Sequence, residues 1–274
     1  MAGLLAATTA PGRADSITIE SSRDNSIYSD SDALSNGSGQ YLFAGRIRSG
    51  TLRRALIRFD VADALPAEAM PTSVTLTLYC TRSVSADVPV ALHRLSADWG
   101  EAASDAEFEE GLGADAQPGD ATWGYRFFQT DPWATPGGEF APSPSATAPV
   151  GFAQAAYSWS SDQMLADVEA WRAEPNQNFG WIVIGDETAA GTAKRFASRE
   201  NPDVDLRPKL TIEYEVIPLP CLGDLDGNNT VDITDLAILL SSFGGGGGPA
   251  DLDSDGDVDI TDLSTLLSRF GVTC

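Results

Sequence analysis

The pattern of apolar and polar positions between residues 16 and 216 is typical of β-strands. Short runs rich in β-branched and aromatic residues recur there, namely SITIE, SVTLTLYC, VPVALHRL, WIVIG and KLTIEYEV. Two of these runs alternate with period two, and their apolar positions are Val74, Leu76, Leu78 and Cys80, and Leu210, Ile212, Tyr214 and Val216. Such alternation predicts antiparallel strands with one buried and one solvent-facing side, as in a β-sandwich. WIVIG is continuously apolar and predicts a central strand, and Cys80 is predicted to be a buried free thiol.

One helix is predicted within this β-rich region. Ser161 is a candidate N-cap, and Pro175 ends the run. Between them, Met164, Val168 and Trp171 fall at i, i+4 and i+7, which places three apolar side chains on one face of a helix. We expect this face to pack on the sandwich as a plug or lid.

The composition changes after Val216. The segment IPLPCLG contains Pro218 and Pro220, which disfavour both a helix and a central strand, and we interpret it as a linker. The sequence thus predicts a signal-peptide remnant or disordered N-terminus at 1–15, a β-sandwich at 16–216, a linker at 217–223 and a repeat region at 224–274.

The repeat region contains two similar copies with a period of 27 residues. The copies DLDGNNTVDITDLAILLSSFG, from Asp224, and DLDSDGDVDITDLSTLLSRFG, from Asp251, agree at 14 of 21 positions. Each places oxygen donors at positions 1, 3, 5, 7, 9 and 12 of a twelve-residue loop, the pattern that Ca²⁺ requires. The candidate ligands are Asp224, Asp226, Asn228, Thr230 (backbone carbonyl), Asp232 and Asp235, and Asp251, Asp253, Asp255, Asp257 (backbone carbonyl), Asp259 and Asp262. The alternative is a solvated acidic tail, which does not account for six matched ligand positions in both copies.

The residues around these positions fit the same interpretation. Position 6, which needs a positive φ, is Asn229 in the first copy and Gly256 in the second. Position 8 is Val231 or Val258, and we expect a short β contact between the two loops. An apolar helix face follows each loop and is formed by Leu236, Leu239, Leu240 and Phe243, and by Leu263, Leu266, Leu267 and Phe270. The predicted unit is therefore a loop followed by a helix, half of an EF-hand, with two calcium ions in all.

Two such units joined by a glycine-rich linker resemble the dockerin modules of polysaccharide-degrading systems, type I-like in pattern, over residues 221–274. The resemblance implies that the repeats pack antiparallel and bind a cohesin-like scaffold or surface protein. It also implies partner contacts at loop positions 10 and 11, which are Ile233 and Thr234, and Ile260 and Thr261. Antiparallel packing would bring the ends of the module together, so a Cys221–Cys274 disulfide is expected, with two unpaired thiols as the alternative.

Two segments of the large region carry a second resemblance: GQYLFAGRIRSGTLRRALIRFDV, from Gly39, and GTAKRFASRENPDVDLRPKLTIEYE, from Gly191. They are similar to the DNRLRE, or disaggregatase-related, β-sandwich domains of secreted proteins. The six-letter signature itself is absent, and the nearest string is SRENPDVDLRP. The resemblance implies a jelly-roll module that binds acidic polysaccharide beside degradative enzymes.

Two basic clusters, together with aromatic residues of a loop-rich region at 98–140, are the candidate glycan-binding residues. The set is Arg46, Arg48, Arg53, Arg54, Trp123, Tyr125, Trp133, Lys194, Arg195 and Arg199. Arginine matches the carboxylate of a uronic acid with two parallel hydrogen bonds, and aromatic rings stack on sugar faces. The alternative is that the arginines pair with the many acids of the chain while the aromatics fill the core.

Charge and motif content narrow the function classes. The formal net charge of −23 argues against binding nucleic acid or anionic membranes, and no apolar run is long enough to span a bilayer. His93 is the single histidine, and no G-x-S-x-G or H-E-x-x-H motif occurs. Together with these exclusions, the two resemblances imply a secreted, non-catalytic polysaccharide-binding protein with a calcium-dependent docking module. The alternatives are a self-assembling subunit of an extracellular fibre or surface layer, and a polysaccharide lyase or hydrolase.

Overall fold

The structure is a computed structural model that describes residues 13–216 and 221–273, with side chains described from residue 15 onward. Backbone contacts separate a large unit, Ala14–Glu215, from a small unit that contains the C-terminal repeats. Residues 1–12 of the predicted N-terminal segment, most of the predicted linker and Cys274 lie outside the described residues, whereas residues 13–15 already belong to the first strand.

The large unit is mainly β, with two helices longer than a 3₁₀ turn. Its strands are β1 (Arg13–Glu20), β2 (Arg23–Tyr28), β3 (Leu34–Ser35), β4 (Tyr41–Arg46), β5 (Leu52–Arg58), β6 (Ala69–Ser83), β7 (Val88–Arg94), β8 (Ala114–Asp115), β9 (Tyr125–Phe127), β10 (Asp131–Pro132), β11 (Ala146–Val150), β12 (Ala155–Ser160), β13 (Trp181–Ile184), β14 (Lys194–Ala197) and β15 (Lys209–Val216). Its helices are α1 (Val61–Ala64) and α2 (Asp162–Ala173), with 3₁₀ turns at Pro175–Gln177 and Val204–Leu206.

Eleven strands form one large, curled antiparallel sheet. Its order is β1-β15-β6-β14-β4-β5-β13-β7-β11, with β12 paired to β6 and β2 paired to β5. Trp159 on β12 donates its indole N–H to the Val90 carbonyl on β7, at 2.8 Å, and so links the two halves of the curled sheet. The remaining strands form two small two-stranded sheets, β9 with β10 and β3 with β8.

The period-two pattern predicts the buried face of the sheet correctly. Val74, Leu76, Leu78 and Cys80 on β6 are all fully buried, and Cys80 is a free thiol, as expected. The continuous apolar run forms β13, which lies centrally between β5 and β7. The face of β6 is predicted correctly because a strand buried on one side has apolar residues at every second position.

The predicted helix is confirmed as α2. The Ser161 hydroxyl accepts a hydrogen bond from the Met164 backbone N–H at 3.1 Å, which caps the first turn. Met164, Val168 and Trp171 are fully buried, and Trp171 packs edge-on against Trp181 of β13 with ring centroids 4.6 Å apart. The helix therefore packs on the sheet through the predicted stripe.

The loop-rich region at 98–140 is ordered because it carries apolar residues into the core. Trp99, Ala121 and Trp133 join Ile27, Leu56, Leu95 and Ile182 in one buried cluster. The indole N–H groups of Trp99 and Trp133 donate to the carbonyls of Phe179 and Thr122, at 2.8 and 2.9 Å. The polar end of each indole is thus satisfied inside the protein.

The small unit contains α3 (Ile233–Ser242) and α4 (Ile260–Ser268), each preceded by an acidic loop. Val231, Leu239, Ala250, Val258 and Leu266 form its core. Both helices begin with a capping box, Asp232 with Asp235 in α3, and Asp259 with Asp262 in α4.

The prediction that the two loops form a β contact with each other is wrong, because each loop valine pairs with a different segment. Val231 accepts from the Gly271 N–H at 2.8 Å and donates to the Val272 carbonyl at 2.9 Å. Val258 accepts from Gly244 at 2.8 Å and donates to Gly245 at 3.0 Å. Each loop valine therefore pairs with the segment that follows the helix of the other repeat. Gly244 and Gly271, with φ of 78° and 86°, lie just after the ends of the two helices and turn the chain back to make this pairing.

Among the helices of the described ranges, none combines the length and the hydropathy needed to cross a membrane.

Candidate functional site

The last residue of each acidic loop ties the loop to its helix. Asp235 is fully buried, and one of its oxygens accepts from the N–H groups of Leu225 and Asp226, at 2.7 and 3.1 Å. Its other oxygen accepts from the Asp232 N–H at 2.7 Å. Asp262 makes the same three bonds in the second loop, to Leu252, Asp253 and Asp259. A short carboxylate at the helix start thereby closes each loop.

Several candidate ligands converge on one point in each loop. Asp224, Asp226 and Asp235 offer oxygens within 4.8 Å of one another, and so do Asp251, Asp253 and Asp255. The other side chains of the predicted sets lie in the same loops with an oxygen engaged by backbone; Asn228, Asp232 and Asp259 accept from the N–H groups of Thr230, Thr234 and Thr261. Thr230 and Asp257 are the position-7 residues, whose expected contribution is a carbonyl.

The loop backbone has the conformation predicted at position 6 and a second feature that the sequence analysis missed. Asn229 and Gly256 have φ of 66° and 104°, as expected. Position 4 is also left-handed, at Gly227 with φ of 77° and at Ser254 with φ of 61°. A serine in this region is uncommon, which shows how tightly the loop curls.

Electrostatic repulsion within the loops is only partly relieved by backbone amides. Burial and the charges of neighbouring carboxylates raise the pKa of Asp253, and Asp255 is the main cause of the raised pKa of Asp257. Backbone N–H groups, first that of Asp259, lower the pKa of Asp262. One oxygen of Asp251 is buried and has no hydrogen-bond partner among the described residues. All donors are hard oxygens, so the residues fit Ca²⁺, which would supply the missing positive charge.

A duplicated apolar surface stands beside the loops. Ile233 and Ile260 are 68% and 66% exposed, and the adjacent Thr234 and Thr261 are exposed as well. The predicted helix faces are only partly buried: Leu239 and Leu266 enter the core, whereas Leu240, Phe243, Leu267 and Phe270 remain about half exposed. Equivalent residues of both repeats therefore leave apolar area uncovered.

Cys221 is disulfide-bonded, as expected, and its pairing with Cys274 stays a prediction. Cys221 packs against the core of the small unit. Its expected partner, Cys274, lies outside the described residues.

Three of the candidate glycan-binding residues are buried, which corrects the sequence prediction for them. Arg53 is fully buried, pairs with Asp30 at 2.8 Å and lies over the Tyr28 ring. The Lys194 ammonium donates to Ser83 Oγ and to three backbone carbonyls, at 2.7–3.1 Å, and its burial lowers its pKa. Trp133 belongs to the core, with 4% of its surface exposed. None of the three side chains is available to a ligand in this structure.

Other candidates are partly exposed but bound to neighbours. Arg54 pairs with Glu187 at 2.7 Å and lies over the Trp123 ring, 4.9 Å from its centroid. Arg46 donates to the carbonyls of Gly50 and Thr188. Tyr125 packs edge-on against Phe128, and Arg199 pairs with Glu101 and Glu200 at 2.8 Å. The basic residues of the two sequence clusters therefore do not converge on a single surface.

Two of the candidates, Arg48 and Arg195, do meet, in an open cleft of about 530 Å³. Arg82 and Glu109 also line it, together with apolar Phe43, Ile47 and Val84. Sequence reasoning missed Arg82 and Glu109, because they reach the cleft through strand and loop placements that are distant in the chain. Three arginines lining one cleft are a local excess of positive charge in a strongly acidic protein.

A third acidic cluster lies in the large unit, where Asp24, Glu101 and Glu200 surround Arg199. Asp24 is 1% exposed, and burial raises its pKa well above its usual range. Burial is also the main cause that raises the pKa of Glu200, to about 7. Because a guanidinium and raised pKa values offset the negative charge, we assign no ligand to this cluster.

Glu200 gives a pH prediction. Its folded-state pKa lies above its ordinary value of 4.5, so the folded protein holds an extra proton between about pH 4.5 and pH 7. The free energy of unfolding should then fall by about 1–3 kcal/mol as pH rises through that window. In thermal unfolding from pH 5 to 8 with calcium present, Glu200→Gln should lose this part of the pH dependence and exceed the wild type in stability at pH 8. Parallel curves for the two proteins would contradict the assignment.

Comparison with known proteins yields a partial structural likeness. No family model and no curated protein matches the chain. Among solved structures, a type II cohesin–dockerin domain from Bacteroides cellolosolvens is matched over 20% of this chain and 93% of its own length, at 36% identity and a TM-score of 0.20. A TM-score this low does not establish a shared fold, so the function is argued from the residues of the chain.

Proposed function

We propose that the protein is a secreted, non-catalytic polysaccharide-binding protein attached to a partner through a calcium-dependent docking module. In this proposal the large unit is a DNRLRE-like, jelly-roll-type β-sandwich with one packed helix, and the small unit is a type I-like dockerin module. The proposal rests on two features that occur together in both repeats. Carboxylates converge in the loop, and the isoleucine at the start of the following helix is exposed.

Calcium has a defined role in the small unit. The loops concentrate carboxylates whose repulsion the backbone N–H groups do not fully offset, as the buried unpartnered oxygen of Asp251 indicates. A divalent cation at each loop relieves that repulsion and fixes the direction in which the helix leaves the loop. Binding of calcium thereby contributes to folding of the unit, since the ligand set does not exist in the unfolded chain.

The exposed apolar residues supply the docking surface. Ile233, Leu240 and Phe243 and their equivalents Ile260, Leu267 and Phe270 remain accessible although the unit has a core of its own. Apolar area that a domain leaves uncovered on both repeats marks a site for a protein partner. The partner expected from the resemblance is a cohesin-like scaffold or surface protein.

A panel of purified cohesin domains tests the docking function. We expect the full chain to bind at least one of them in millimolar calcium and to release it in EGTA. Ile233→Asp combined with Ile260→Asp should abolish binding, whereas each single change leaves the equivalent surface of the other repeat intact. Phe152→Asp is the matched control, because Phe152 is also 68% exposed but lies in the large unit. Binding that survives EGTA or the double variant contradicts the proposal.

The cleft of the large unit supports the second part of the proposal, the binding of acidic polysaccharide. Arg48, Arg82 and Arg195 line it beside apolar side chains, which suits a chain of sugar rings that carry carboxylates. A glycan array that includes alginate and pectin tests this part. Selective binding of one acidic polysaccharide is expected, and equal binding of every acidic glycan would indicate unspecific charge attraction instead.

A further inference from the structure

Two arginines of the cleft stand directly opposite each other on neighbouring strands. Arg82 of β6 and Arg195 of β14 are partners in the antiparallel register. Like charges at directly opposed positions destabilise a sheet. The arrangement therefore calls for an anion between them.

In the structure, Glu109 provides that anion. Its carboxylate accepts from Arg82 and from Arg195, the latter at 2.6 Å. The hydrogen bond from Arg82 and the charge of Arg195 lower the pKa of Glu109, so the group stays ionised in neutral solution. Its side chain is nevertheless 66% exposed, and ion pairs this open to water are weak.

Arg195 does not depend on Glu109 for its orientation. Arg195 is 13% exposed, lies over the Tyr41 ring at 3.7 Å and donates from Nε to Thr81 Oγ1 at 2.9 Å. Arg48, on the rim of the same cleft, is exposed and makes no ion pair with the described residues. If Glu109 moved away, the Arg195 guanidinium would keep its orientation, and the exposed Arg48 guanidinium would remain in the same cleft.

The loop that carries Glu109 is anchored by the next residue. Glu110 is 5% exposed, and its carboxylate accepts from the backbone N–H groups of Gln40 and Tyr41 and from the Asn36 amide, at 2.9–3.1 Å. Phe108 and Glu110 both have left-handed φ, 59° and 60°, which sets the direction of the residue between them. Glu109 can therefore leave the arginines by rotating its side chain while the loop backbone stays in place.

We propose that Arg82 and Arg195 form a carboxylate subsite of the polysaccharide cleft, and that Glu109 occupies it as an internal substitute until the carboxylate of a uronic acid residue displaces it. The inference rests on the proposed polysaccharide-binding function. Exchange of one carboxylate for another keeps the arginine pair neutralised, whereas a neutral sugar offers nothing in return for the lost ion pair. Glu109 thus makes the cleft selective for acidic sugars.

Calorimetric titration of the full chain with oligomers of galacturonate and of alginate tests the inference. Glu109→Gln should bind its uronate oligomer about fivefold more tightly than the wild type, since the competing ion pair is a weak, exposed one. Methyl-esterified galacturonate oligomers should show no such gain. Glu107→Gln removes the same charge from an exposed position of the same loop and should change the affinity less than twofold. Arg82→Gln added to Glu109→Gln should reverse the gain.

The possible outcomes separate the inference from the function on which it rests. If the wild type binds a uronate oligomer but Glu109→Gln gains no more than Glu107→Gln, the displacement is refuted and the function stands. If Glu109→Gln alone acquires uronate binding, the subsite exists but the wild-type protein is not a polysaccharide binder. If the gain is equal for the methyl ester, the displacement is refuted and the function again stands. If no form binds, both are overturned.

Discussion

Removal of calcium with EGTA is expected to unfold the small unit and to leave the large unit folded. Helices α3 and α4 contain ten and nine residues, against twelve in α2, so the loss of helical circular dichroism is large enough to measure. At a free calcium concentration about a thousand times the dissociation constant, each occupied site adds about 4 kcal/mol to the free energy of unfolding. Within its described residues, the unit has a buried core of five residues, which gives little other stabilisation to replace this.

A matched pair of variants in the second loop makes the calcium prediction specific. Asp251→Asn changes a candidate ligand with a buried, unpartnered oxygen, and should weaken calcium binding at that loop at least about tenfold. Asp257→Asn removes one charge from the same loop but leaves the backbone carbonyl, and should bind calcium with nearly the wild-type affinity. Isothermal titration calorimetry measures both. An unchanged spectrum in EGTA, together with equal affinities for the two variants, would refute a calcium site.

Replacement of Arg53 by methionine should cost the large unit about 1.5–3 kcal/mol, the usual contribution of hydrogen bonds made by a charged group, because its buried guanidinium is lost. The substitution leaves the Asp30 carboxylate without its guanidinium partner and removes a hydrogen bond of 3.1 Å to the Gly111 carbonyl. For a unit of this size the thermal midpoint should fall by roughly 3–12 °C. Differential scanning calorimetry in calcium-containing buffer follows the transition of the large unit.

Arg48→Met is the control for this change. Arg48 is exposed and lines the cleft, so its substitution should leave the thermal midpoint within about 2 °C and act on ligand binding instead. The two arginines lie five positions apart in the sequence, in the same basic cluster. If Arg53→Met left the stability unchanged and reduced only binding, the buried, structural role of Arg53 would be wrong.

The features that could be predicted from the sequence are those set by local spacing. The alternation along β6 identified its buried face, because side chains of a strand point to opposite sides at every step. The twelve-residue spacing of the acidic loops and the apolar stripe on one face of α2 are equally local, and both can be read from the sequence. Even the left-handed backbone of Asn229 and Gly256 followed from residue type and loop position.

The roles of individual basic residues could not be predicted in this way. Arg53 and Arg54 are neighbours in the sequence, yet one is buried against Asp30 and the other pairs with Glu187. The partners lie 23 and 133 residues away, respectively. The cleft depends in the same manner on the register between β6 and β14 and on a loop at Glu109. Long-range pairing decides which charge is exposed, and a single sequence carries no direct record of it.

In the small unit, each loop makes a short β contact with the segment after the helix of the other repeat, and this pairing affects how the two proposed calcium sites would fill. Val231 is held by the chain that leaves α4, and Val258 by the chain that leaves α3. Each loop is followed by a helix, and the segment after that helix pairs with the valine of the other loop. An ion that orders one loop therefore also orders the segment that the other loop pairs with. Less conformational entropy then remains to be lost when the second ion binds. Calcium should fill the two sites cooperatively, with a Hill coefficient above one, and the module should switch between empty and full with little of the singly loaded form.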